Sequence, residues 1–218
     1  MSAVLVCLFK LKREVMQNWI NNHFNTLNQL LLKTTVTDLS GQTKTLAFGF
    51  ETYINAVKSI RKNKNKLIFI GNGGSAGIAS HMATDYSKNG HMPSTTFSDA
   101  SMTTCLSNDY GYEFVFSKQI EYHAKQNDVL IAISSSGKSK NILNAVTAAR
   151  NAGCQVMTFS GFQAKNPLSL MGDVNFFVDS HEYGFVEVGH LALIHAMLDH
   201  IIADEMAAQH KEKTLEMA

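Results

Sequence analysis

Proline is scarce in this chain of 218 residues, since only Pro93 and Pro167 occur. The sequence also lacks low-complexity tracts and the proline-, glycine- or serine-rich stretches that commonly separate domains. Without such a linker, the length favours a single domain with a complete hydrophobic core. We therefore predict one domain over residues 13–210, preceded by an irregular or disordered N-terminal extension over residues 1–12.

An excess of either charge is absent as well. The 19 Lys and Arg residues are balanced by 18 Asp and Glu residues, which leaves a formal net charge of +1 at pH 7. Proteins that bind nucleic acid through its phosphates usually carry a strongly basic patch or stripe. The charge balance therefore argues against a nucleic-acid partner.

Cysteines are few and are not arranged for pairing. Cys7, Cys105 and Cys154 are odd in number and far apart, and they form no C-x-x-C motif. This usage is typical of free thiols in a reducing compartment rather than of a disulfide framework. We expect a cytoplasmic protein.

Long apolar segments are missing too. The stretch from Ala3 to Phe9 is apolar over only about seven residues, and its basic residues follow it, whereas a secretory signal has them in front. No other segment approaches the ~20 apolar residues that span a bilayer. The sequence therefore predicts neither a signal peptide nor a membrane anchor.

Hydrophobic residues recur at three- and four-residue steps over Arg13 to Leu32 and over Thr45 to Ile60, which predicts two amphipathic helices. The polar stretch Thr34 to Gln42 between them suits a connecting loop. Beyond them, predicted strands (67–70, 94–97, 129–133, 155–159 and 175–178) alternate with predicted helices (81–88, 113–125, 142–152 and 186–207). Such alternation predicts an α/β fold, a three-layer αβα sandwich with a five-stranded parallel sheet, preceded by the two N-terminal helices.

Two loops rich in small residues follow predicted strands. One runs from Gly71 to Ser75, and the other runs from Ser134 to Ser139. In parallel sheets ligands bind at the carboxyl ends of the strands, and a helix N-terminus offers free N–H groups and a positive dipole end to an anion. Phosphate is the expected guest, although serine also caps helices without any ligand, so one such loop alone leaves both interpretations open.

The glycine loop matches neither of the common nucleotide-binding motifs. Its G-x-G-x-x-G spacing fails because Ala76 stands where the third glycine belongs, and a Walker loop G-x-x-x-x-G-K-[ST] occurs nowhere in the chain. The pattern therefore argues against a nicotinamide cofactor. What remains is a loop whose backbone a polar ligand can approach closely.

Histidine and carboxylate side chains recur on two predicted helices. His81 and Asp85 are four residues apart and share one helix face, where they could chelate a divalent metal or act as a catalytic couple, or simply face solvent. The C-terminal helix adds further polar candidates within an apolar run: Glu187, His190, His195 and His200. Polar groups in such a helix need partners, and histidine is well suited to move protons near neutral pH.

Together these segments resemble the SIS (sugar isomerase) domain family, and within it the bacterial sedoheptulose-7-phosphate isomerases, also called phosphoheptose isomerases. The resemblance runs from about Trp19 to Ala203. It rests on the combination of Gly71-Asn72-Gly73-Gly74-Ser75, the helix from His81 to Asp85, Leu106-Ser107-Asn108-Asp109-Tyr110-Gly111-Tyr112-Glu113, Ile133-Ser134-Ser135-Ser136-Gly137-Lys138-Ser139, and Glu187 to His195. By itself the segment Asn108 to Glu113 is an ordinary polar turn leading into a helix.

The resemblance implies an aldose–ketose isomerase that works through an enediol, a sugar-phosphate substrate, a homotetramer and a role in heptose synthesis for surface polysaccharide. It implies that Ser134, Ser135, Ser136 and Ser139 hold the phosphate, and that Asn72, Gly73, Gly74, Ser75, Asn108, Asp109 and Glu187 line the rest of the substrate site. It further implies one zinc ion per subunit at His81, Asp85, Glu187 and His195. Asp85 is then the expected base and His195 the expected acid.

Two positions depart from the pattern of this family. The family has Glu where this chain has Asp85, and Gln where it has Glu187. The shorter side chain of Asp85 can misplace a catalytic carboxylate by about 1 Å, which can cost on the order of a hundredfold in rate. The added charge of Glu187 strengthens metal binding but raises the pKa of a neighbouring carboxylate when no cation is present.

Helix geometry also sets a limit on the metal site. Glu187 and His195 are eight residues apart, so a straight helix separates them by about 12 Å and some 80° in azimuth. His190, three residues from Glu187, is therefore a rival member of the site. Two other functions stay open from the sequence: a non-catalytic SIS protein that binds a sugar phosphate or a protein partner such as a replication initiator, and an isomerase of a different sugar phosphate.

Overall fold

The structure, a computed structural model, describes residues 3–216, with side-chain detail for residues 12–61, 64–211 and 214. Its helices are α1 (Ala3–Leu32), α2 (Leu46–Asn63), α3 (Gly74–Lys88), α4 (Ala100–Tyr110), α5 (Val115–His123), α6 (Lys140–Asn151) and α7 (Tyr183–Glu216). Its strands are β1 (Thr35–Asp38), β2 (Thr43–Lys44), β3 (Leu67–Gly71), β4 (Ser94–Thr96), β5 (Val129–Ser134), β6 (Gln155–Gly161) and β7 (Val174–Val178). Two short 3-10 turns lie at Tyr112–Phe114 and Pro167–Leu170.

The strands form one seven-stranded sheet in the order β2-β1-β7-β6-β5-β3-β4. The five strands β3 to β7 pair in parallel, which confirms the predicted parallel sheet. Residues of opposite parity along these strands belong to two separate hydrophobic clusters, one shared with α2, α3 and α7 and the other with α4, α5 and α6. The predicted three-layer arrangement is therefore confirmed.

The segment predicted as a loop between the first two helices is instead a β-hairpin. Strand β1 pairs antiparallel with β7 on one side and with β2 on the other. The β-branched run Thr35-Val36-Thr37 suits a strand, and Val36 is fully buried against the core. Asp38 shapes the turn, because its Oδ1 accepts hydrogen bonds from the backbone N–H groups of Ser40 and Gln42.

Other boundaries also differ from the predictions. Helix α1 already begins at Ala3, because residues 3–12 contain no glycine or proline to interrupt it, so the irregular extension expected over residues 1–12 is not observed for residues 3–12. Residues 1 and 2 lie outside the described residues. Helix α4 was not predicted; Asp99 starts it by accepting a hydrogen bond from the N–H of Met102, and Gly111, with φ of +98°, ends it.

Within the described residues, one helix, over Tyr183–Lys211, is long and apolar enough to cross a membrane by length and composition. The expectation that no segment approaches this length is therefore wrong for α7. Half of its most apolar window is buried inside the fold, and Val186, Ile194 and Met197 are fully buried. A central core helix has the same apolar character as a membrane span, which explains the match.

Candidate active site

The two loops predicted to bind a ligand meet at one cavity. Strands β3 and β5 are direct neighbours in the sheet, so the loops that follow them lie side by side. The cavity measures about 270 Å3 and is lined by Asn72, Gly73, Gly74, Ser75, Ser134, Ser135, Ser136, Ser139, Tyr183 and Glu187. All four predicted serines of the second loop are therefore brought together with the glycine loop.

The serine loop is arranged for an anion rather than for capping its helix. Ser139 occupies the N-cap position of α6 with extended backbone, yet its side chain makes no capping hydrogen bond. The Oγ of Ser135 is buried and has no hydrogen-bond partner among the described residues. A buried hydroxyl without a partner costs free energy unless a ligand or water completes it. The loop thus presents unused donors at a helix N-terminus, which favours a bound anion over simple capping.

Asn72 links the glycine loop to the first turn of α6. Its Oδ1 accepts a hydrogen bond of 2.8 Å from Asn141 Nδ2, and its own Nδ2 donates one of 3.0 Å to Asn141 Oδ1. The hydroxyl of Tyr112 donates a third hydrogen bond of 3.0 Å to Asn72 Oδ1. The three side chains tie together loops from distant parts of the chain.

Helices α3 and α7 bring two histidines and one carboxylate together. The Nε2 atoms of His81 and His195 are 3.1 Å apart. Asp85 Oδ2 lies 3.5 Å from His81 Nε2 and 3.8 Å from His195 Nε2. One ligand atom from each residue can be chosen so that all three lie within 4.8 Å of one another. Two imidazoles and a carboxylate are a common protein ligand set for a catalytic zinc ion, which keeps a further position open, so these residues fit the predicted metal.

Glu187 does not join this group. Its carboxylate lies against Gly74 at the first turn of α3, where a Cβ added to that glycine would collide with it. The structure therefore places Glu187 in the serine-lined cavity and not in the group of His81, Asp85 and His195, where it was also predicted as a metal ligand. Its contact with substrate stays a prediction. The separation of about 12 Å along α7 between Glu187 and His195 explains why one side chain joins the cavity and the other the cluster.

His190 is excluded as a rival member of the site. It is fully buried, its Nε2 lies 3.0 Å from the backbone oxygen of Ser160, and its ring packs edge-on against Phe159. Burial lowers the pKa of His190 to about 4, because the charged form loses its hydration. A neutral core histidine serves packing on this helix, and His200 is exposed.

Asn108 and Asp109 do not line the cavity. They lie in the last turn of α4 rather than in the predicted turn. Asn108 Nδ2 donates to Asp109 Oδ1 at 2.9 Å, and both side chains are exposed. Their contact with a sugar stays a prediction.

Sequence reasoning missed three residues of the site, namely Tyr112, Asn141 and Tyr183. Asn141 is the second residue of α6, just after the serine loop, so its position in the first helical turn was the available signal. Tyr183 lies four residues before Glu187 on α7, which puts both on one face of that helix. The contact between Tyr112 and Asn72 joins residues 40 positions apart and has no counterpart in any local pattern.

Comparison with known proteins identifies the family of the chain. Residues 33–161, more than half of the chain, match the SIS domain family. The chain is 37% identical over 149 residues to phosphoheptose isomerase of Pelobacter propionicus, which covers 66% of this chain and 78% of the relative. It is 31% identical over 170 residues to phosphoheptose isomerase of Citrifermentans bemidjiense, and this match covers 75% of this chain and 86% of the relative.

The solved structure of phosphoheptose isomerase from Neisseria gonorrhoeae resembles the fold with a TM-score of 0.74 and 29% identity, covering 86% of this chain and 99% of that chain. The resemblance seen in the sequence motifs is thereby confirmed. The chain belongs to the SIS domain family and, within it, to the isomerases of the phosphoheptose isomerase group.

Proposed function

We propose that this isomerase interconverts sedoheptulose 7-phosphate and D-glycero-D-manno-heptose 7-phosphate through an enediol. The proposal places the enzyme in the cytoplasm, where it supplies heptose for surface polysaccharide. Its main support is one observation: the cavity lined by the serine loop before α6 also takes Ser75 from α3 and Glu187 from α7, and these two helices carry the cluster of two imidazoles and a carboxylate.

The phosphate occupies the cavity between the two loops. Hydroxyls of Ser134, Ser135, Ser136 and Ser139 donate to its oxygens, and the N-terminus of α6 contributes its dipole. Ser75, on the first turn of α3, lies six residues before His81, a distance of about 9 Å along the helix. A sugar phosphate held by its anionic end can therefore extend its reactive end toward the histidine cluster.

The proton transfers fall to Asp85 and His195. Asp85 removes the proton from the carbon next to the carbonyl and returns it to the neighbouring carbon, while His195 moves a proton between the two oxygens. Their side chains approach within 3.8 Å, so both can reach adjacent atoms of one ligand. Orienting both groups on two packed helices is itself a source of rate enhancement.

One zinc ion per subunit is held by His81, Asp85 and His195, whose nitrogen and oxygen atoms suit this metal. When bound, the ion supplies Lewis-acid polarisation of the substrate's oxygens. Glu187 stays in the cavity and contacts the sugar hydroxyls.

The proposed enzyme is a homotetramer. Large apolar side chains of α1, including Val15, Trp19 and Phe24, are exposed on the single chain. Exposed apolar residues on one helix are typical of surfaces that pair with another subunit. The oligomeric state is checked by light scattering on the purified protein.

The test of the proposed reaction is direct. Purified protein is incubated with sedoheptulose 7-phosphate, with and without zinc, and the aldose product is followed by chromatography. Fructose 6-phosphate serves as a shorter ketose phosphate, and His195→Ala as the inactive control. Turnover of the seven-carbon substrate that is lost in His195→Ala supports the proposal. Absence of turnover in both metal conditions, with tight binding of the sugar phosphate retained, would overturn it in favour of a binding protein.

The two departures from the family pattern are tested in the same assay. Asp85→Glu restores the longer carboxylate and Glu187→Gln removes the added charge. If the wild type turns over the substrate, Asp85→Asn should lose it, because the amide cannot take up a proton. A fully active Asp85→Asn variant would remove Asp85 from the role of base.

A further inference from the structure

The side-chain amide of Asn72 can offer only a hydrogen-bond donor to the cavity. An Asn side chain offers two N–H donors and two acceptor positions on its oxygen. Its Oδ1 already accepts hydrogen bonds from Asn141 at 2.8 Å and Tyr112 at 3.0 Å, and one N–H of its Nδ2 is donated to Asn141. One N–H remains, and it has no hydrogen-bond partner among the described residues. Asn72 can therefore donate to a ligand in the cavity but cannot accept from it.

The pair formed by Asn72 and Asn141 does not by itself fix this orientation. Rotating both amides by 180° preserves their two mutual hydrogen bonds and turns an oxygen toward the cavity instead. An oxygen there would repel an anion. The hydroxyl of Tyr112 distinguishes the two arrangements, because a phenol donates more strongly than it accepts and here donates to Asn72 Oδ1.

Tyr112 is held in place by the same helix that carries Asn141. It lies in the 3-10 turn that follows Gly111, whose φ of +98° suits glycine. The side chain of Asn144 on α6 donates a hydrogen bond of 2.9 Å to the backbone oxygen of Glu113, the next residue. The turn is thus anchored to α6, and the Tyr112 hydroxyl is positioned relative to the serine loop.

We propose that Tyr112 is a positioning residue that holds the Asn72 amide with its free N–H directed at a phosphate oxygen of the bound sugar phosphate. This inference rests on the proposed phosphate site. The phosphate is the expected acceptor because Asn141, to which Asn72 is bonded, belongs to the first turn of α6, the helix whose N-terminus carries the serine loop. Tyr112 contributes no contact of its own to the ligand.

The test measures the affinity for inorganic phosphate by calorimetric titration in four proteins: wild type, Tyr112→Phe, Asn72→Ala and the double variant. Losing the hydroxyl should weaken phosphate binding about 3- to 10-fold, the effect of one net hydrogen bond. In the Asn72→Ala background, Tyr112→Phe should have no further effect on phosphate affinity. A structural role of Tyr112 would instead weaken binding equally in both backgrounds.

Tyr110→Phe is the matched control, since Tyr110 is also an exposed tyrosine, two residues away. It should leave phosphate affinity unchanged. More than half of the Tyr112 surface is exposed, so removal of one oxygen leaves no cavity in the core, and thermal unfolding verifies that each variant is folded. Equal affinity of wild type and Tyr112→Phe, or additive losses in the double variant, would overturn the inference.

Turnover distinguishes this inference from the proposed reaction. If sedoheptulose 7-phosphate is converted, Tyr112→Phe should raise KM for the sugar phosphate and leave kcat within about twofold, because the phosphate contact is the same in ground and transition states. If no sugar is converted but Tyr112→Phe weakens phosphate binding only when Asn72 is present, the proposed reaction is wrong and the positioning role of Tyr112 stands. Absence of any phosphate binding by the wild type overturns both.

Discussion

The Nε2 atoms of His81 and His195 face each other at 3.1 Å, although 114 positions separate the two residues in the chain. Helix α3 supplies one imidazole and helix α7 the other, and Asp85 Oδ2 lies within 3.8 Å of both nitrogens. At this distance one imidazole can donate a hydrogen bond to the other. The same two nitrogens and the carboxylate also form a group that fits a divalent cation.

Removing either imidazole should therefore abolish metal binding. We expect His81→Ala and His195→Ala to weaken zinc affinity by more than about 100-fold, since loss of a mere supporting contact around a metal already costs 10- to 100-fold. The measurement is metal content after dialysis, together with competition against a chelator. His200→Ala, on the same helix but exposed, is the control and should keep its zinc. Full metal occupancy in both alanine variants would contradict the assignment.

Two glycines of α3 provide a matched pair for testing the position of Glu187. A Cβ at Gly74 would collide with the Glu187 carboxylate, whereas a Cβ at Gly77 meets nothing within 4 Å. Gly74→Ala should displace Glu187 and lower kcat/KM about 100-fold, the loss expected for a misplacement of about 1 Å. Gly77→Ala should keep activity and gain roughly 0.5–1 kcal/mol in unfolding free energy. Equal activity of the two variants would show that Glu187 is not needed where it lies.

Ser135 should show opposite effects on binding and on stability. Its Oγ is buried without a hydrogen-bond partner within the described part of the chain, so the free protein bears the cost of a desolvated hydroxyl, about 1–3 kcal/mol. Ser135→Ala should raise the unfolding temperature of the free protein and at the same time raise KM for the sugar phosphate several-fold. Thermal unfolding with and without phosphate measures both effects. A variant that loses stability while keeping its affinity would mean that the hydroxyl serves the fold rather than the ligand.

Four of the five parallel strands were predictable because each is a short run of mostly buried apolar residues, such as Leu67 to Ile70, whereas β4 (Ser94–Thr96) is polar and only partly buried. The hairpin was not, because Thr35-Val36-Thr37 buries a single apolar side chain and its partner strand β7 lies some 140 positions away. Short strands with so few buried apolar residues carry a weak local signal, and their pairing depends on tertiary contacts.

The candidate site, like the fold, was predictable from the sequence only in part. The spacing of His81 and Asp85 within one helix predicted their shared face, and the loops after β3 and β5 predicted the cavity. The sequence placed Glu187 in both the substrate site and the metal set and could not decide between them, since the choice between the cavity and the histidine cluster depends on how α7 is rotated against α3. A helix rotation is set by packing of the whole core, which one sequence motif does not report.

His190 makes the stability of the fold depend on pH. Burial lowers its pKa to about 4 in the folded protein, whereas an unfolded chain has a His pKa of about 6.5. Between these values the unfolded state binds a proton that the folded state does not, so unfolding free energy rises with pH in this range and is lost as pH falls from 6.5 toward 4. The difference of about 2.5 pKa units corresponds to roughly 3 kcal/mol.

His190→Gln keeps a donor toward the backbone oxygen of Ser160 but does not titrate in this range. Urea unfolding of wild type and variant at pH 7.5, 6, 5 and 4.5 isolates the contribution of this one side chain, because the other histidines and the carboxylates are common to both proteins. As pH falls from 7.5 to 4.5, we expect the unfolding free energy of the wild type to decrease by up to about 3 kcal/mol more than that of the variant. If the unfolding free energies of the two proteins change with pH in parallel, His190 becomes protonated without unfolding, and water reaches its ring in the folded state.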